Sequence, residues 1–164
     1  MTLLDEQIAQ ARKLLQTARH AAMATVNAED SPHNTPYYLL FEDDLSYFYW
    51  ASKPEAMHSQ NVERAGKAYV VIYDTHESSG GLYVQLEDAE RVPGEDLDRA
   101  IASHTKARAK VGKAPVPKEQ YDAMGQVFYR ARPVAFWVYA VERDPHTNFI
   151  VHEGRQQVSA SDLL

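Results

Sequence analysis

With 164 residues, 45% of them apolar and 24% charged, the chain has the make-up of one ordinary globular domain with its own core, not of a disordered or fibrous segment. Seventeen Lys and Arg against 23 Asp and Glu leave a net charge of −6, and the basic residues are scattered, "KARAK" (106–110) being the densest run, which speaks against a nucleic-acid partner. The lack of cysteine excludes disulfides, thiolate metal sites and a thiol nucleophile.

Behind Thr2, a candidate N-cap, Leu4, Ile8, Ala11 and Leu15 recur at helical spacing and predict a helix over 3–18. This amphipathic opening lacks the charged-then-apolar order of a secretory signal. The longest apolar run, Val134 to Val141, falls far short of the about 20 residues that a membrane span requires, so a cytoplasmic protein without a membrane partner is expected.

From His20 the period changes to two: Met23, Thr25 and Asn27 alternate with Ala22, Ala24 and Val26, and "NAEDSPHN" supplies turn residues, predicting a strand and a hairpin. Two aromatic strands follow, "TPYYLLF" (35–41) and "LSYFYW" (45–50), joined by the acidic turn "EDD". A helix is predicted from Glu55 to Arg64, ended by Gly66. The β-branched run of "AYVVIYD" (68–74) suggests a strand buried on both faces, followed by a flexible loop, "THESSGG", and a strand over 82–92.

Residues 95–110 predict a helix, with Glu95, Asp96 and Asp98 in its first turn, Lys106, Arg108 and Lys110 in its last, and Gly112 beyond, all matched to the helix dipole. A second helix is predicted over 117–129, then a strand over 133–142 and a shorter one over 149–152. Strands joined by short turns cannot pair in parallel, so the order predicts a mainly β, α+β fold: an antiparallel barrel with flanking helices.

The stretch Trp50, Ala51, Ser52, Lys53, Pro54 ends an aromatic strand at a helix start, where free N–H groups and a positive dipole end favour a phosphate. Ser52 and Pro54 also suit a plain helix entry, Ser capping and Pro in the first turn. His58 and Asn61 are three apart and share a helix face, although a histidine there, taken alone, reads first as a solvated surface group. Alternation turns one of Tyr49 and Trp50 inward. Tyr37, Tyr38, Tyr47, Phe48, Trp137 and Tyr139 suit barrel filling or a subunit interface.

Seven histidines show no metal-binding spacing, and no metal site is expected. Ser78, Ser79, Gly80 and Gly81 lack the lysine and following helix of a phosphate loop and suit a plain connection. No acid or base for catalysis stands out.

Taken in order, "AAMATVNAEDSPHNTPYYLLFEDDLSYFYWASKPEAMHSQNVERAGKAYVVIYD", "GGLYVQLEDAERV" and the closing "FYRARPVAFWV" resemble the FMN-binding split barrels related to pyridoxamine 5′-phosphate oxidase. The resemblance implies a six-stranded antiparallel split β-barrel, forming a homodimer with two FMN molecules in clefts between the subunits. Carried onto this chain, the cofactor-binding positions are Thr35, Pro36, Tyr37 and Tyr38 on the strand that runs to Leu40, then Trp50, Ala51, Ser52, Lys53, Met57, His58 and Asn61, with Trp137 on the closing strand.

The cations with which the true oxidases grip phosphate are replaced here by Thr35, Leu40, Met57 and His58, so the resemblance does not extend to vitamin-B6 chemistry. Arg155 is the basic residue of the C-terminal segment placed to reach across a dimer cleft. What is implied is an FMN-dependent oxidoreductase with its substrate over the exposed ring face and NAD(P)H as a candidate electron donor. A non-catalytic dimeric carrier or sensor of flavin or haem is the alternative from another class, and an empty cleft a third.

Overall fold

The computed structural model describes residues 2–75 and 80–164. Helix α1 (Leu3–Thr17) is opened by Thr2, whose hydroxyl accepts from Asp5 N while the Asp5 carboxylate accepts from Thr2 N, a reciprocal cap that satisfies two N–H groups left open at a helix start. Ala11, Leu14 and Leu15 form its buried face. Strands β1 (His20–Val26) and β2 (Pro32–Tyr38) form the predicted hairpin, with His20 opposite Tyr38 and Val26 opposite Pro32.

The strand predicted over 35–41 is divided. Its first part belongs to β2 and pairs with β1, whereas β3 (Leu40–Phe41) pairs with β4 (Phe48–Ser52), and Leu39 between them donates its N–H to Arg19 O. The chain therefore changes partner at Leu39. Strand β4 sits later than predicted because the preceding turn extends through Leu45, which takes φ 57.

Helix α2 (Met57–Ala65) ends, as predicted, at Gly66, whose φ of 65 suits a residue without Cβ. Its N-cap is Ala56, with no capping side chain. Ser52 is thus the last residue of β4 and not the helix cap that the sequence also allowed.

Strand β5 (Ala68–Ile72) alternates buried and half-buried residues, correcting the expectation of burial on both faces: Val71 faces outward beside Tyr69. Strand β6 (Leu82–Arg91) is followed by a 3₁₀ turn and α3 (Leu97–Ala109), much as predicted. The second helix is far shorter, α4 (Lys118–Ala123), because Gly125 at φ 65 breaks the chain away and β7 begins already at Val127.

Strand β7 (Val127–Arg143) runs straight through Pro133. The proline is tolerated at a register shift, where Leu86 opposes Pro133 and Gln85 opposes Ala135, so Val134 bulges. The last strand, β8 (Ile150–Val158), is longer than predicted, and a short capped helix, α5 (Ala160–Leu163), follows it unforeseen. The loop expected over "THESSGG" falls largely on residues 76–79, outside the described part.

All pairings are antiparallel, in the order β2-β1-β5-β6-β7-β4-β3, with β8 also on β7. Because β2 and β3 are parts of one segment, the two ends of this order meet, and the circuit has six strands when they are counted together. On β7, residues 127–131 hold β4 and residues 136–143 hold β8 along one edge, while β6 occupies the other. The sheet curls into the split barrel, filled by Met23, Phe48, Trp50, Val70, Leu82, Leu86 and Tyr129, all at most 1% exposed. A second buried cluster lies outside the barrel wall, where Leu40, Tyr49 and Phe128 meet Ala100 of α3 and Tyr121 of α4. No helix is long and apolar enough to cross a membrane, among the described residues.

Candidate functional site

The barrel splits where β2 and β4 diverge. β3 pairs with β4 only at Leu40–Tyr49 and Phe41–Phe48, whereas Pro36 to Tyr38 pair with β1 and Trp50 to Ser52 with β7. Between these two stretches lies a cleft of about 650 Å³ lined by Pro36, Tyr37, Tyr38, Ser52, Lys53 and His58, among others. This is within the size range of cofactor sites.

At its rim, Ser52 Oγ and His58 Nε2 share a hydrogen bond of 2.8 Å. Burial first, and then the neighbouring His33, hold the His58 imidazole below its ordinary pKa. The rings of His33 and His58 stack, their centroids 6.4 Å apart and their planes 10° from parallel. Lys53, on the same rim, is exposed. The start of α2 lacks the side-chain cap that α1 and α5 possess, so its first N–H groups are left for solvent or a ligand.

Trp50 directs its ring into the barrel, stacked on Tyr129 at 5.7 Å and edge-on to Tyr37 at 6.4 Å. Tyr49 faces the helices, so the expected alternation holds. Beneath the cleft, Tyr37 Oη and Trp50 Nε1 are buried without a hydrogen-bond partner among the described residues, and burial raises the Tyr37 phenol far above its usual range.

The structure gathers Pro36, Tyr37, Tyr38, Trp50, Ala51, Ser52, Lys53 and His58 around one cleft. Thr35 sits just outside it on β2, bonded through its hydroxyl to Pro36 O at 3.3 Å. Met57, first residue of α2, is 47% exposed. Asn61 turns the other way from His58: it is buried and donates to Thr25 Oγ1 and Asn27 Oδ1, both at 2.9 Å, clipping α2 to β1.

Trp137 lies on the outer barrel face with Tyr69, 6.0 Å away, and opposite Tyr83. Arg155 stands there too, its guanidinium 4.9 Å from the Tyr83 ring and bonded to Tyr69 Oη at 2.7 Å. These aromatics belong to neither buried cluster.

His20, Ala56 and Gln126 also line the cleft and were not foreseen. His20 follows from the hairpin register, which sets it beside Tyr38 with ring centroids 5.0 Å apart. Gln126 carried no such signal, since the sequence placed it inside a helix. Among the described residues no group of three or more His, Asp or Glu is placed to hold a metal.

The sequence profile of pyridoxamine 5′-phosphate oxidase matches residues 8–142. No curated protein matches the chain in sequence. Solved structures share the fold. A pyridoxine phosphate oxidase family protein from Clostridium acetobutylicum, related to general stress protein 26, is 10% identical over 98% of this chain and 99% of its own, with a TM-score of 0.64. An F420 reductase is 18% identical over 77% of this chain and 94% of its own, with a TM-score of 0.56. A heme binding protein from Mycobacterium smegmatis is 17% identical over 96% of this chain and 59% of its own, with a TM-score of 0.66. The profile spans most of the chain and the split barrel accompanies it: this chain belongs to the pyridoxamine 5′-phosphate oxidase family.

Proposed function

We propose that this protein is an FMN-binding oxidoreductase that works as a homodimer. The observation that carries the reading is the uncapped start of α2 beside the Ser52–His58 pair, at the mouth of a cleft whose long wall is the free edge of β4. The donor set fits a phosphate monoester: a hydroxyl from Ser52, an imidazole from His58, an ammonium from Lys53 and the open N–H groups of α2. It lacks the guanidinium forks of a pyridoxamine phosphate oxidase, since Thr35 and Met57 are uncharged, and a substrate other than a B6 vitamer is the consistent assignment.

The free edge of Trp50 to Ser52 offers backbone donors and acceptors to the polar rim of a flat ring, while Tyr38 and Pro36 close the opposite side. When bound, the flavin supplies hydride and electron transfer; the chain binds it, orients it and excludes water from one face. The outer face of Tyr69, Tyr83 and Trp137 supports the homodimer, because aromatic and arginine side chains favour subunit interfaces.

A second reading, a carrier of haem or flavin, draws on the adjacent imidazoles of His33 and His58, because a neutral histidine is a haem ligand. Adding FMN or hemin to purified protein and then NADH or NADPH separates the two. A flavin spectrum that bleaches with the dinucleotide supports the oxidoreductase. Tight hemin binding without FMN binding contradicts it.

A further inference from the structure

Away from the cleft, α1, β3 and α3 enclose a separate cavity of about 370 Å³. Its floor is apolar: Leu15, Leu39, Leu40 and Leu45 are each at most 5% exposed. Its rim carries Arg12, Lys106 and Lys110. Two of these cations are engaged, Lys106 with Asp43 and Arg12 through Nε with Asp162 O at 2.8 Å.

Lys110 is not. Its ammonium lies 5.5 Å from the centroid of the Phe41 ring, and among the described residues no carboxylate is within ion-pair distance of it. Lys110 is exposed at the cavity's rim; partial burial, and then the charge of Lys106, lower its pKa against the opposing charge of Asp43, and an ammonium without a salt bridge is open to an incoming anion. A neighbouring crevice of about 370 Å³ shares Gln16, Leu39, Ala107 and Lys110 with this cavity and reaches Tyr38, so the room beside Lys110 is elongated.

We propose that this cavity binds a free amphipathic monocarboxylate, its head on Lys110 and its hydrocarbon tail along Leu15, Leu39 and Leu45. Among the described residues Arg12 and Lys110 have no carboxylate in salt-bridge contact and match an anionic head, and the leucine floor matches a hydrocarbon tail.

Calorimetric titration of the full chain with sodium octanoate and with octanol, which has the same tail and no charge, tests this. The expected result is saturable 1:1 binding of octanoate, with octanol at least about tenfold weaker. Lys110→Met is expected to weaken octanoate about tenfold and leave octanol unchanged, whereas Lys113→Met, at an exposed position that does not line the cavity, changes neither. Equal affinity of the wild-type protein for the two compounds, or no saturable octanoate binding, overturns the assignment whatever the variants do.

Discussion

His58 is the residue on which charge and geometry meet. Its imidazole is held below the ordinary histidine value of 6.5 by burial and by His33, so the free protein carries it neutral at pH 7. Because its folded pKa is depressed, its contribution to stability is present above the ordinary value and is lost as pH falls below it. A bound phosphate acts in the opposite sense and draws a proton onto the ring. FMN affinity is therefore expected to rise roughly three- to tenfold as pH falls from 8 to 6.5, with proton uptake. In His58→Gln the affinity is weaker at pH 6.5 and the slope shallower. Fluorescence titrations at the two pH values check this, and identical slopes for the two proteins would count against the role of His58. The sequence placed Ser52 and His58 at a strand end and helix start, and their contact follows from that spacing; the stacking of His33 on His58 joins two distant segments and has no local signature.

Among the elements, α2 sets the cleft's rim, and Asn61 fixes its position. The side chain joins α2 to β1 through Thr25 and Asn27 and sits at 1% exposure. Asn61→Ala is expected to cost about 2 kcal/mol of stability, since Thr25 is left buried without this donor. An unchanged urea midpoint would contradict that. Strands and helices with clear periodicity, α1, β1, β6 and α3, were legible in the sequence because their own residues specify them. The failures have physical causes. The partner change at Leu39 depends on where β4 lies, β7 continues through Pro133 only because the same strand bulges at the adjacent Val134, and α4 stops early at a left-handed glycine that helical periodicity did not register.

For the whole molecule, two copies are expected to join through the outer face of Tyr69, Tyr83 and Trp137. Trp137→Asp with Tyr83→Asp is expected to give a monomer by sedimentation and to reduce FMN binding at least about tenfold, because the cleft then lacks its second subunit. A double variant that stays dimeric would rule out this face. That the chain forms one barrel was legible from strand order and short turns; which face meets a partner was not, because an aromatic residue pointing outward and one pointing inward look alike until the register is known.

The central claim is that the cleft grips a phosphate at the start of α2. Calorimetric titration with FMN and with riboflavin, which differ only in that phosphate, tests it most directly. FMN is expected to bind about 100-fold more tightly, in keeping with two charge-assisted hydrogen bonds, whereas equal affinities, or no binding of either, would contradict it.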